Sequence, residues 1–149
     1  MKRILWVSAL GLLGLALAHP GLPGSGAVAF ADEKPYRVVF DLTSRDSLDQ
    51  RAVMRWIQEI SASNPQAELE VVMYGKGFEL VMPERTSRLA DVQEAAKSPN
   101  VTFKVCEIAL RNNHTVRDQL IKEVQTVPDG IHEIVMKEQQ GWGYIKVAH

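Results

Sequence analysis

Residues 101–111 read Val-Thr-Phe-Lys-Val-Cys-Glu-Ile-Ala-Leu-Arg. Val101, Phe103 and Val105 alternate with Thr102, Lys104 and Cys106, the period-two pattern of a strand. From Glu107 the alternation stops and Glu107–Arg111 reads as the opening of a helix. A strand that hands over to a helix at one residue is the repeating unit of a parallel α/β sheet.

The same unit recurs on both sides. Tyr36–Leu42 is a compact run rich in Val, Phe and Tyr that ends at Thr43-Ser44-Arg45-Asp46, as a buried first strand would. Leu48, Ala52, Val53, Trp56, Ile57 and Ile60 then fall on one face at helical spacing, opposite Asp49, Arg51, Arg55 and Glu59. Ser47 and Gln50 fit a capping box, and Asn64-Pro65 ends the helix. Leu69–Tyr74 is a second strand running into Gly75-Lys76-Gly77, followed by a short helical piece at Phe78–Met82 and a helix carrying Leu89, Val92 and Ala96.

Beyond the quoted stretch, Asn112-Asn113 interrupts the third helix because Asn tolerates the left-handed conformation, and Thr115 restarts it with Val116 and Leu120 on one face. Val124–Val127 reads as a short fourth strand, Ile131, Ile134 and Val135 mark a last helix, and Gly143–Val147 a fifth strand. Strands alternating with helices imply right-handed crossovers. The expected fold is a three-layer α/β/α domain with a five-stranded, mostly parallel sheet of flavodoxin-like topology. Its reactive groups should lie at the carboxyl ends of the strands, which singles out Thr43, Ser44 and Arg45, then Tyr74–Gly77, then Cys106 and Glu107.

The chain has 149 residues, 46% of them hydrophobic, with 17 basic against 18 acidic side chains and one cysteine. That length accommodates one ordinary domain. The near-neutral charge and the lack of a basic block argue against nucleic-acid binding. One cysteine excludes an internal disulfide and any cysteine-rich zinc site. Lys2 and Arg3 precede an apolar run from Ile4 to Ala18, with small residues at Ala29-Phe30-Ala31. This is the order of a secretory signal, so residues 1–31 are expected to be a cleaved leader and residues 32–149 the mature domain, periplasmic or secreted. The apolar run falls short of the roughly twenty residues that span a bilayer, so no stable membrane span is expected.

Cys106 admits two interpretations. A lone cysteine in a strand is commonly inert packing, but this one shares its strand face with Thr102 and Lys104 and sits where a strand ends. Alternation therefore argues against deep apolar burial. Lys104 and Arg111 would add positive charge near it and Glu107 would oppose them. His114 follows the Asn pair in an expected loop and lacks an orienting carboxylate, and His132 and His149 show no ligand spacing, so neither a metal nor an organic cofactor is expected. Gly75-Lys76-Gly77 lacks the pattern of a phosphate loop. Trp56 is expected to be core, and Trp142 and Tyr144 to serve sheet packing or a subunit contact.

Phe103–Arg111, with its Cys-x-x-Ala-Leu-Arg block, then Val127-Pro128-Asp129-Gly130-Ile131 and Gln140-Gly141-Trp142-Gly143-Tyr144-Ile145-Lys146, resembles the DsrE/DsrF-like family, over essentially all of residues 32–149. In sulfur-relay members a cysteine at the position of Cys106 accepts sulfane sulfur as a persulfide, and subunits assemble into rings. The resemblance implies an exported sulfur carrier acting through Cys106 rather than a turnover enzyme. Its implied partners are other copies of the chain, as a trimer or hexamer, and a donor or acceptor that is a protein or a small sulfur compound. Thr43, Ser44, Tyr74, Gly75, Gly77, Glu107 and Arg111 are the candidate pocket around it. The alternative is a non-catalytic oligomeric module that binds a small ligand or a partner with the same fold.

Overall fold

The computed structural model describes residues 35–148. The expected leader at 1–31 and His149 lie outside them. Five strands occur among the described residues: β1 (Arg37–Leu42), β2 (Glu68–Met73), β3 (Val101–Cys106), β4 (Gln125–Val127) and β5 (Gly143–Lys146). They are joined by helices α1 (Ser47–Ser63), α2 (Leu89–Ala95), α3 (Glu107–Asn112) and α4 (Gly130–Gln139), with 3₁₀ turns at Gly77–Val81 and Arg117–Gln119.

Every strand pair is parallel, in the order β4-β3-β2-β1-β5. The three-layer α/β/α expectation holds. The strand order differs from flavodoxin's 2-1-3-4-5, whose chain reverses after the second strand, because here the chain steps the same way from β1 through β4 and reverses only at the last connection, to β5. That single reversal decides the layers. Right-handed crossovers that step in one direction all lie on the same face of a sheet, and a crossover that steps back lies on the other. Accordingly Val53, Met54 and Ile57 of α1, Val92 of α2, and Ala109 and Leu110 of α3 share one core with Phe40, Val71 and Phe103. Only α4 covers the opposite face, where Ile134 packs on Val39 and Val72.

Local signals differ from expectation in three places. The α1 cap is Asp46, whose carboxylate accepts from the Leu48 amide at 2.7 Å, so Ser47 is already helical. An aspartate one residue earlier offers the stronger acceptor to the free amides. The left-handed residue after α3 is His114 (φ 51°), not Asn113, whose own side chain instead bonds back to the Ala109 carbonyl at 2.7 Å. The expected helix from Thr115 is only the 3₁₀ turn at Arg117–Gln119, which the Arg117 guanidinium closes by donating to the carbonyls of Ile121, Lys122 and Val124.

Candidate functional site

Neighbouring strands whose onward connections leave toward opposite faces open a crevice between them. Here those strands are β3, which leads to α3 on one face, and β4, which leads to α4 on the other. Cys106 closes β3, and Asp129-Gly130 follow β4. A cleft of about 440 Å³ lies at this point, lined by Tyr74, Gly75, Lys76, Cys106, Ile108, Ala109, Asn112, Asn113, Asp129 and Ile131. Its volume falls within the range of small-ligand pockets, roughly 300–1,000 Å³.

Alternation puts Cys106 on the expected face, in line with Lys104, and Cys106, Val72 of β2 and Tyr74 just beyond it all face Gly130. The inference from alternation to exposure does not hold, since Cys106 is only 4% exposed. Cys106 belongs to the main apolar cluster with Val105, Ala109 and Leu110, and it is closed off from across the crevice as well. A Cβ on Gly130 would lie 3.1 Å from the Cys106 Cβ and 3.2 Å from Val72 Cγ1, so the glycine lets the start of α4 close down over the thiol. Cys106 is therefore a floor residue of the cleft, and Ile108 and Ile131 form an exposed apolar rim.

The remaining candidates separate into two groups. Tyr74, Gly75 and, from the same turn, Lys76 line the cleft. Gly75 adopts φ +57°, and its carbonyl accepts from the Asn113 side chain at 3.2 Å, tying the turn after β2 to the end of α3. Thr43, Ser44, Gly77, Glu107 and Arg111 do not line it. The Thr43 hydroxyl accepts from Lys146 Nζ at 2.9 Å, and the Ser44 hydroxyl accepts from the Asp46 amide. A Cβ on Gly77 would stand 2.0 Å from the Leu42 carbonyl oxygen, so this glycine serves backbone packing. Glu107 accepts from the Thr126 hydroxyl at 3.1 Å across the β3–β4 edge. Arg111 and Arg45 are exposed, as are His114 and His132.

Two polar clusters, each centred on a buried carboxylate, flank the site. Asp41 accepts from Tyr144 Oη (2.7 Å), Tyr74 Oη (3.1 Å) and Lys146 Nζ (3.0 Å). The Tyr74 ring, a wall of the cleft, is thereby fixed from behind. Burial and the adjacent Asp41 charge push the Tyr74 phenol up to about 12, and the hydrogen bond to Asp41 does the same for Tyr144. The second cluster pins α4 to the sheet. Glu70 Oε2 receives Lys137 Nζ at 2.8 Å and Lys104 Nζ at 3.0 Å, and Glu133 Oε1 receives Lys104 at 2.7 Å. Lys137 also lies 4.1 Å over the Trp142 ring. Burial raises the Glu70 carboxyl despite the two lysines, while for Glu133 the lysines outweigh its burial and lower it.

Among the described residues no group of three or more His, Cys, Asp or Glu side chains could hold a metal ion, and no helix is long and apolar enough to cross a membrane. The arrangement is that of an α/β protein with one thiol at the floor of a switch-point cleft, and the fold is DsrE-like. Solved structures that share it include the following three. The protein of unknown function MTH1491 from Methanobacterium thermoautotrophicum is 28% identical, with a TM-score of 0.70 over 74% of this chain and 98% of that one. The protein of unknown function BT1422 from Bacteroides thetaiotaomicron is 14% identical, with a TM-score of 0.61 over 74% of this chain and 94% of its own. The ychN protein from E. coli is 12% identical, with a TM-score of 0.59 over 76% and 99%. No protein-family model matches the chain, and no curated protein does.

Proposed function

We propose that the protein is an exported sulfur carrier that holds sulfane sulfur as a persulfide on Cys106. The observation that carries this reading is the cleft: the single thiol forms its floor, at the strand ends where ligands of such folds bind. Loading is a displacement. The Cys106 thiolate attacks the terminal sulfur of a thiosulfonate, a sulfur–sulfur bond forms, and the donor leaves as a sulfinate with the electron pair of the broken bond. Release reverses the roles: an acceptor thiolate attacks the outer sulfur and Cys106 departs as thiolate. Neither step needs an outside oxidant or reductant.

Tyr74 and Ala109 wall the thiol, and Asn112 and Asn113 supply amide groups at the cleft edge. The reading extends to export through residues 1–31 and to assembly with further copies of the chain. The test is intact mass after incubation with a thiosulfonate or a low-molecular-weight persulfide. Wild-type protein is expected to gain one reductant-labile sulfur and Cys106→Ala none. No adduct on the wild type, or an equal one on the variant, ends the carrier reading and leaves a ligand-binding module with this fold.

A further inference from the structure

We propose that Glu133 and Lys137, through their pairs with Glu70 and Lys104, are positioning residues for the Cys106 site: the four charges latch α4 as the movable wall of the cleft. The argument begins with how little else holds this helix. Of its ten residues only Gly130 and Ile134 are buried, and Ile131, Val135 and Met136 are exposed. Burial of one isoleucine is worth about 1.5–3 kcal/mol, which is a thin anchor for a helix that alone covers one sheet face. The other attachments are the close packing of Gly130 on Cys106 and Val72, the half-buried Tyr74 and Trp142 beside Ile134, and the contacts of Lys137 and Glu133 with Glu70 and Lys104.

Two parts of α4 do different work. Glu133, in the first turn, and Lys137, one turn further on, are held to β2 and β3. The start of the helix carries Gly130, against which Cys106 packs, and the cleft residue Ile131, preceded by Asp129. Asp129 accepts from the Ile131 amide at 2.9 Å, so the cleft wall and the helix move as one piece. Releasing the charged face of the helix therefore frees the wall over the thiol. Buried ion pairs are poor sources of net stability, because the cost of desolvation offsets their attraction. A role in fixing the register of one helix accounts for their presence better than a stabilising one. Acid acts on the latch in opposing directions. Glu70, with its raised pKa, binds its proton more readily in the closed state, so acid favours closure there. Glu133, with its lowered pKa, gives the opposite sign, and the two effects oppose each other.

The inference rests on the geometry of the cleft and stands or falls separately from sulfur transfer, since its readout is alkylation of Cys106 by iodoacetamide under native conditions. Glu133→Gln and Lys137→Gln are each expected to speed alkylation about tenfold. Val53→Ala, which loosens the core on the opposite face, should leave the rate within about twofold once its effect on global unfolding is subtracted. Equal acceleration in all three, or none in the two latch variants, overturns the proposal. In the wild-type chain, native-state hydrogen exchange supplies a second check: the α4 amides should open with the same weak denaturant dependence as the alkylation. Exchange of α4 only through global unfolding would refute the latch.

Discussion

Under α1, α2 and α3 the central strands present Val38, Phe40, Leu42, Leu69, Val71, Met73, Phe103 and Val105, all buried and all apolar. Under α4 the same strands present Asp41, Glu70 and Lys104, with Tyr74 just beyond β2, among only a few apolar residues. One face is a core and the other is a site. The difference follows from chain direction rather than from composition. Three crossovers that step one way wall off one face and exclude water, whereas the single returning crossover leaves its face thinly roofed. Asp41, Glu70, Tyr74 and Lys104 persist there because each finds a charged partner.

The largest effects should come from the apolar face. Phe40→Ala and Phe103→Ala are expected to lose about 3–5 kcal/mol in urea unfolding, the usual cost of emptying a buried aromatic site. A loss below about 1 kcal/mol would erase the contrast between the faces. On the other face, Glu70→Gln leaves two ammonium groups sharing one carboxylate and should cost about 3 kcal/mol. Replacing Glu70, Lys104, Glu133 and Lys137 together by Leu or Met should cost less than that single change, because no orphaned charge remains. A fourfold variant far weaker than Glu70→Gln would mean that the charges themselves stabilise the fold.

Alkaline pH sharpens the comparison further. Tyr74 and Tyr144 ionise only at about 12, above their ordinary value of 10. The folded state therefore keeps protons that the unfolded chain releases first. The stability contributed by these phenols is complete below about pH 10 and is lost as the pH rises toward 12. Absorbance titration should show a late phenolate step that Asp41→Asn moves to lower pH. The smallest effect is expected from Gly130→Ala. Its added methyl must fit 3.1 Å from the Cys106 Cβ, so it should cost about 1 kcal/mol and slow alkylation of the thiol several-fold.

Most of the architecture was legible because each strand ends in a turn signal and each helix shows an apolar stripe. Cys106, Tyr74, Gly75 and Lys76 were reachable from the rule that strand ends carry sites. Thr43, Ser44 and Gly77 satisfy the same rule without lining the cleft, since the rule does not say which pair of strands splits. That depends on strand order, which no local pattern encodes. Asp41 and Glu70 were missed although each interrupts an otherwise apolar strand, Asp41 between Phe40 and Leu42 and Glu70 between Leu69 and Val71. A charge inside such a run is the available signal for a partnered, buried carboxylate. The burial of Cys106 was not legible because it depends in part on Gly130, twenty-four positions away.

The account depends on the thiol being reached through the cleft while the protein stays folded. Alkylation of Cys106 across increasing urea, below the unfolding transition, tests this directly. The expected rate is about 10–100-fold below that of the unfolded chain and nearly flat with urea, since opening is local. Protection of about 10³-fold or more, falling in step with global unfolding, would show that the sulfur is sealed within the core and would contradict the account.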